Sequence, residues 1–527
     1  MIGKGPVELG NPLTAISIDL TENCSLRCTY CFADIDTENK KQRSKSKNKL
    51  TLKTGQEIIN WLFRDDVTLP KSLVSIDWWG GEPLMEFELI KQLVPYAREK
   101  AKECGKKVRF GGTTNIISIT EDKFNWLLDN EINLLFSCDG IGERNKHRIL
   151  PTGENSWPII EKNLEMIKRV YRERGMKPLR IRMTVTPDNI IGMADDIYKF
   201  YKDGWTEVFF SEDYEADWTE SALIEYKKEI EKLSEYRRRH IDDDFLITKF
   251  LDDTSKFILD NAFTEEEKTT NHNGWSCGAG KTYLGVSTTG VIYPCHRFNK
   301  HNTSDIPIES KEFVLGTIYD NITNLDLYSE ISSVSSKNPE SLPHCESCTL
   351  LNFCHGGCIA SCQDNTGKIN GFHPYICIFK KIIYNVMMDE ISWMIKNKKM
   401  KKYSESVGAI INTGNNKFLG RKEDEEKTCS CYISKYTNSV DQFSYNLRNN
   451  IGETHDDEIH LLNLINKVIE QELQKKFKDE KNNTRCLCNA GAYNKDNEIE
   501  QSYQFNKEQI IKLADLFNLY IKGNYNV

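Results

Sequence analysis

The sequence predicts an α/β chain: a partial (β/α)6 barrel, then a cysteine-rich domain, then a mostly helical C-terminal extension. Three observations carry this expectation. Short apolar runs alternate with amphipathic stretches from residue 14 to about 211; three cysteines follow the first run; and a further set of cysteines occupies residues 277–377, where long periodic segments are few. Strand and helix patterns in series imply parallel strands with helices outside them. Right-handed crossovers curl such a sheet toward a TIM-like barrel, with reactive residues at the C-terminal strand ends.

The apolar run TAISIDL predicts a first, buried strand over 14–20, and five more runs predict strands over 73–78, 107–111, 132–138, 179–186 and 206–211. Amphipathic stretches predict the intervening helices near 54–64, 86–104, 121–130, 156–174 and 190–203. Residues 219–270 are charged and helical in pattern and read as a bridge. An apolar, basic-ended helix is expected over 378–402. The last 125 residues, 403–527, are polar and rich in Asn and Lys, with amphipathic helices near 457–478 and 506–522. The expected division is a barrel over 1–235, a bridge and cysteine-rich domain over 236–402, and an extension over 403–527. No solenoid-type repeat is present.

At 527 residues the chain exceeds one average domain. Its net charge of −8 argues against general nucleic-acid binding. No apolar signal segment follows Met1-Ile2-Gly3-Lys4, and no uninterrupted apolar stretch suffices to span a bilayer, so no membrane partner and a cytoplasmic location are expected. Seventeen cysteines in such a chain suggest a reducing compartment and metal ligation rather than disulfides.

Cys24, Cys28 and Cys31 are spaced C-x3-C-x2-C directly after the first strand. Three thiolates on a short loop suit three irons of a [4Fe–4S] cluster and leave the fourth iron open for chemistry. Structural zinc normally takes four ligands from paired C-x2-C knuckles, and only one such pair occurs in this loop. The loop resembles that of the radical SAM superfamily. In that family the open iron chelates S-adenosylmethionine, and cluster reduction yields a 5′-deoxyadenosyl radical that abstracts a substrate hydrogen. The resemblance also implies the partial barrel.

Further motifs agree with it. Gly80-Gly81-Glu82-Pro83 closes the second strand and resembles the family's GGEP segment, which holds the methionyl amino group. The glycines permit close backbone approach, and a carboxylate accepts from an ammonium. Tyr30 matches the aromatic at the adenine. Asn115 ends the third strand and Val185 the fifth, and both are counted with the cofactor-binding residues. Ser137-Cys138-Asp139-Gly140 resembles the family's S-x-D-G segment, so Ser137 is expected at the ribose or methionyl part. Arg148 is expected at the carboxylate, a role that suits a bidentate guanidinium. Cys104 and Cys138 read as small buried hydrophobes.

Downstream, Cys277, Cys295, Cys345, Cys348, Cys354, Cys358 and Cys377 follow a spacing that resembles the SPASM domain of peptide- and protein-modifying radical SAM enzymes. The resemblance implies two auxiliary [4Fe–4S] clusters. Cys345, Cys348, Cys354 and Cys377 would hold the distal one, and Cys277, Cys295 and Cys358 the nearer one. The nearer cluster is then a ligand short, a place for Cys362, a histidine, water or substrate. Where anaerobic sulfatase-maturating enzymes carry an aspartate base after the equivalent cysteine, this chain has His296, which can also remove a proton.

Cys429, Cys431, Cys486 and Cys488 form two C-x-C pairs that could close a zinc site or remain free thiols. Lys40, Lys41, Arg43, Lys45, Lys47 and Lys49 read as a solvated run able to steer an acidic leader peptide. The expected function is radical maturation of a ribosomally synthesised, cysteine-containing precursor peptide, with thioether cross-links at cysteines. Flavodoxin or ferredoxin is the expected electron donor. The alternatives are formylglycine generation in a sulfatase and a non-catalytic metal-binding scaffold, which would not need the barrel motifs.

Overall fold

The computed structural model describes residues 3–33, 48–178, 180–242, 248–262, 278–300, 311–334, 341–342, 345, 348 and 350–407. Strands β1 (Ala15–Asp19), β2 (Leu73–Trp79), β3 (Lys107–Thr114), β4 (Ile132–Ser137), β5 (Arg180–Val185) and β6 (Glu207–Glu212) lie side by side in chain order, all parallel. Between them run α1 (Leu52–Leu62), α2 (Phe87–Glu103), α3 (Glu121–Asp129), α4 (Trp157–Glu173) and α5 (Met193–Lys202). All six strands and five helices fall where apolar periodicity places them.

The alternation within each strand separates two environments. Ile16, Ile18, Val74, Ile76, Trp78, Ile181, Met183 and Val185 are fully buried in the apolar core. Their neighbours Ser17, Asp19, Ser75, Asp77, Trp79, Arg182 and Thr184 occupy the opposite face. Local chemistry moves two helix starts from the expected positions. The Thr51 hydroxyl caps α1 by accepting from Thr54 N at 3.1 Å, so that helix begins at Leu52. Before α5, Asn189 closes a turn onto Thr186 N at 2.8 Å and Gly192 takes a left-handed φ of 85°, delaying the helix to Met193.

Helices α6 (Glu220–Arg239) and α7 (Lys249–Ala262) fill the expected bridge. The sheet then resumes. β7 (Tyr283–Val286) pairs parallel with β1, and β8 (Val291–Tyr293), β9 (Gly316–Thr317) and β10 (Asn321–Ile322) add antiparallel, giving the order β10-β9-β8-β7-β1-β2-β3-β4-β5-β6. The cysteine-rich region therefore begins as an extension of the barrel sheet. At Gly285 a Cβ would lie 2.7 Å from the Cys295 carbonyl carbon and 2.8 Å from His296 N, so the absence of a side chain lets this segment cross over β7.

Shorter helices α8 (Leu325–Ser333), α9 (Leu351–Cys354) and α10 (Ile359–Thr366) lead to α11 (Pro374–Lys396) and α12 (Met400–Ser406). The single helix expected over 378–402 is thus two, because Lys398 adopts a left-handed φ of 59°. One continuous hydrophobic core reaches from Leu13 to Val407. Among the described residues no helix is long and apolar enough to cross a membrane. Cys277, Cys429, Cys431, Cys486, Cys488, the run from Lys40 to Lys47 and the helices near 457–478 and 506–522 lie outside the described residues.

Candidate active site

The loop bearing Cys24, Cys28 and Cys31 leaves the C-terminal end of β1 and is clasped from both sides. Gly81 N donates to Thr21 O at 2.7 Å and Glu82 N to Asn23 O at 2.8 Å. Opposite, Arg27 N donates to Ile149 O at 2.7 Å and Thr29 N to His147 O at 3.1 Å. The glycines serve this clasp. A Cβ at Gly80 would sit 2.2 Å from Thr21 O, and one at Gly81 2.1 Å from Asn23 O. Gly81→Ala should therefore push the cysteine loop off its seat, costing about 1–3 kcal/mol in thermal or denaturant unfolding, whereas an ordinary exposed substitution would cost about 0.5 kcal/mol or less.

All three cysteines are partly accessible, and Cys28 lies within electrostatic reach of Cys24 and Cys31. Surrounding protein pushes the Cys28 thiol up to about 12, the Arg148 cation working against the shift. Cys24 Sγ accepts from Leu26 N and from Asn115 Nδ2, each at 3.4 Å. Such donors to sulfur tune a cluster's potential. Among the described residues no three Cys, His, Asp or Glu side chains converge as they would on a single ion. A three-thiol donor set, spread along a loop and furnished with N–H donors, fits a cluster whose thiolates bind separate irons.

Glu82 is 1 % exposed, and its carboxylate already accepts from Thr114 Oγ1 at 2.7 Å, Asn115 N at 2.7 Å and Leu84 N at 3.0 Å. Its side chain braces the ends of β2 and β3 together, leaving one lone-pair direction of four for a further donor. Asn115 is thereby aimed at the cysteine loop, its amide bonded to Ser25 Oγ as well as Cys24. Ser137 ends β4, buried and in register with Arg182. Val185 is fully buried in the core, and its carbonyl accepts from Asp213 N at 2.7 Å.

Asp139, fully buried after β4, is the hub that the sequence reading passed over. It accepts from the Tyr30 hydroxyl, from Thr184 N at 2.9 Å and from Arg148 Nη2 at 2.9 Å. The hub ties the cysteine loop to the ends of β4 and β5. Arg148 is 6 % exposed, lies over the Tyr30 ring at 5.7 Å, and keeps its Nε buried without a hydrogen-bond partner. That orphaned donor is unfavourable unless a ligand oxygen meets it. Burial alone would lower the Arg148 pKa, but Asp139, Tyr30 and Cys28 outweigh it and hold the guanidinium charged. A second guanidinium, Arg182, stacks over Phe209 at 4.9 Å, and burial followed by Arg148 lowers it to about 10.

His296 joins the first cysteine loop to the second region. It stacks on Trp79 with centroids 3.8 Å apart, meets the edge of Phe32 at 5.7 Å, and shares a 2.7 Å hydrogen bond between Nδ1 and the Tyr283 hydroxyl. Burial, then Arg297 and Arg182, depress its pKa to about 3, so the imidazole is neutral at neutral pH. Phe32 also lies under Arg297 at 5.0 Å.

Beyond it, Cys345, Cys348, Cys354 and Cys377 stand within electrostatic reach of one another, faced by Lys380 and Lys381. Burial lifts Cys345 and Cys354 to about 11 and about 12. Cys295 and Cys358 both act on Arg297, and Cys358, Cys354 and Cys345 all lie within electrostatic reach of Cys362. Cys362 is 1 % exposed and points its thiol at Gly356 O, 3.7 Å away. Cys138 is fully buried and donates to Gly140 O, as a small packed residue would.

Comparison with known proteins agrees with this arrangement. Residues 17–148 match a family described as a 4Fe-4S single cluster domain. The radical SAM cyclopropyl synthase TigE of Paramaledivibacter caminithermalis is 21% identical over 391 residues, 73% of this chain and 75% of the relative. A cysteine-type anaerobic sulfatase-maturating enzyme of Clostridium novyi is 24% identical over 363 residues, 66% of this chain and 87% of the relative. Among solved structures, the native anSMEcpe with bound AdoMet superposes with a TM-score of 0.54 at 18% identity, covering 74% of this chain and 100% of that one. The chain is a homologue of the radical SAM enzymes and shares the fold of the anaerobic sulfatase-maturating enzymes.

Proposed function

We propose that this chain is a radical SAM maturase acting on a ribosomally synthesised, cysteine-containing peptide, with thioether formation as its reaction. The observation that carries the proposal is the link between two features: the clasped Cys24, Cys28, Cys31 loop, and the downstream cysteines that it meets through Phe32, His296 and Arg297. Bound at the first loop, a [4Fe–4S] cluster supplies the electron that cleaves S-adenosylmethionine to a 5′-deoxyadenosyl radical. Arg148, with its unpartnered Nε, offers a charged donor to the methionyl carboxylate, and Asp139 holds it in place. Tyr30, fixed by the same aspartate, offers an aromatic face. The downstream cysteines would hold auxiliary clusters, which would provide an electron acceptor.

Thioether formation removes two hydrogens from the peptide. One leaves as a hydrogen atom and is retained on 5′-deoxyadenosine. The other leaves as the thiol proton, with one electron passing to the acceptor. In this reading His296, wedged between Trp79 and Phe32 and hydrogen-bonded to the Tyr283 hydroxyl, relays that proton rather than keeping it. Its depressed pKa makes it a weak base, and a neutral imidazole can accept at one nitrogen while donating from the other. Flavodoxin or ferredoxin is the proposed reductant. A solved enzyme of the same fold, anSMEcpe, was captured with AdoMet and the Cp18Cys peptide, which supports a peptide as the substrate class.

The C. novyi relative supports a second reading, oxidation of a sulfatase cysteine to formylglycine. One experiment separates them. The anaerobically reconstituted chain should carry about twelve irons, three [4Fe–4S] clusters. It should then convert a cysteine-repeat peptide to a product lighter by two hydrogens per site, its cysteines resistant to alkylation. An aldehyde that condenses with a hydrazide would instead establish the second reading, and an iron count near four would defeat the three-cluster arrangement.

A further inference from the structure

We propose that Asp77 is the final acceptor of the proton that His296 relays, reached through the hydroxyls of Tyr283 and Ser17. The inference rests on the thioether reading above and supplies the destination that such a relay requires.

Neither of the first two groups can keep the proton. The His296 imidazole is neutral, so what it takes at one nitrogen leaves from the other. Its Nδ1 shares a 2.7 Å hydrogen bond with the Tyr283 hydroxyl. Tyr283 is a neutral phenol, because burial and then the neighbouring Cys295 push its pKa well above the usual value. A phenol that accepts a proton must release its own.

Three strands bring the next groups together. In the register of the sheet, Gly285 on β7 stands beside Ser17 on β1, and Ser17 beside Asp77 on β2. Tyr283 is two residues from Gly285 and therefore shares its face. His296 enters on the same side. The backbone at 295–296 crosses over Gly285, and the imidazole stacks on Trp79, the next residue on the face of Asp77. The Ser17 side chain stands close to the Tyr283 hydroxyl, which also lies within electrostatic reach of Asp77. Ser17 is fully buried, and its Oγ has no hydrogen-bond partner. An unmet buried hydroxyl is costly. Between a phenol and a carboxylate it can accept from one and donate to the other.

Asp77 suits the end of this path. Among the described residues its carboxylate accepts no hydrogen bond, whereas Asp19, the other carboxylate on this face, is held by Asn299 Nδ2. Gly111, beside Asp77 on β3, leaves it room: a Cβ there would lie 2.6 Å from Asp77 Oδ1. The charged and titratable groups on this face of the flanking strands are Arg109 on β3, Asp19 on β1 and Tyr283 on β7. Arg109 is itself bonded to Ser75 Oγ. Burial raises the Asp77 pKa to about 6 against the pull of Arg109, while His296 lies at about 3. The proton therefore runs downhill. The substrate S–H bond breaks, an N–H forms on His296 as its other N–H passes to Tyr283, and an O–H forms on Asp77. No electron moves in this step.

The test uses the anaerobically reconstituted full chain with S-adenosylmethionine, dithionite and the cysteine-repeat peptide. It scores thioether formed per 5′-deoxyadenosine across a pH series, a ratio that counts only folded, cluster-bearing protein. In the parent the ratio should fall as pH drops through about 6, where Asp77 takes a proton from solvent and can accept no other. Asp77→Asn should lower the ratio about a hundredfold at neutral pH and abolish that fall. Tyr283→Phe and Ser17→Ala should also lower it, and Asp77→Asn with Tyr283→Phe should lose no more than the worse of the two alone. Infrared spectra of the parent without peptide should show a carboxyl band titrating near pH 6 that Asp77→Asn removes. A parent ratio in Asp77→Asn, or a pH dependence that survives it, would overturn Asp77 as the acceptor and leave the maturase reading standing. A parent that cleaves S-adenosylmethionine but forms no thioether would defeat the thioether reading, and the relay with it.

Discussion

Cys28→Ala is expected to reduce S-adenosylmethionine cleavage to background while the protein remains folded. The loop's conformation does not depend on that thiol. Its backbone is held by Thr21 O and Asn23 O on the side of β2, and by N–H groups of Arg27 and Thr29 on the side of β4, at 2.7 to 3.1 Å. What the substitution removes is the middle donor of three, which lies within electrostatic reach of the Arg148 and Asp139 pair. The cluster then has two protein thiolates, and the electron that opens the carbon–sulfur bond has no source. Cys138→Ala is the matched control. That thiol is fully buried and bonded to Gly140 O, away from the loop, so iron content and cleavage should persist with a stability loss of about 1–2 kcal/mol. The measurements are iron content, 5′-deoxyadenosine yield under dithionite and denaturant unfolding. Full cleavage by Cys28→Ala would remove the first loop from the mechanism.

The sequence disclosed those features that repeat locally. Strand alternation such as that of Arg180–Val185 and the three-cysteine spacing are short-range patterns, and both the barrel strands and the loop that follows β1 lie where they point. Contacts between distant segments were not legible in the same way. Nothing in residues 283–286 announces that they pair with β1, since four apolar residues fit many registers. The GGEP segment points in sequence to a ligand, but not to the second task of its glycines, which admit Thr21 O and Asn23 O, nor to the bracing of its glutamate against the end of β3. Asp139 was visible inside the S-x-D-G segment. Its three partners, however, come from positions 30, 148 and 184, which only the folded barrel unites. Asp77 carried no motif at all, and its neighbours Ser17 and Tyr283 come from other strands of the sheet.

The largest stability effect is expected at Glu390, far from the cysteine loop. Arg237 on α6 and Glu390 on α11 have fully buried side chains 3.0 Å apart, and Arg237 also pairs with Asp252 on α7 at 2.8 Å. Glu390 accepts from Ser234 Oγ at 2.7 Å, and the Tyr403 hydroxyl of α12 bridges it to Ser255 at 2.7 Å to each. Four helices therefore meet at one carboxylate, among them α11, which carries Cys377. Glu390→Ala leaves the buried Arg237 charge without one of its two carboxylates, Asp252 remaining, and should cost about 3–5 kcal/mol. Glu390→Gln keeps the shape and some of the hydrogen bonds and should cost less. The triple variant Arg237→Met, Asp252→Asn and Glu390→Leu removes all three buried charges and should recover much of the loss, because the desolvation penalty disappears with them. Denaturant unfolding of the three variants measures this order. A Glu390→Ala protein as stable as the parent would mean that the α6–α11 contact is held by its apolar residues alone, and that the buried charges serve register rather than stability.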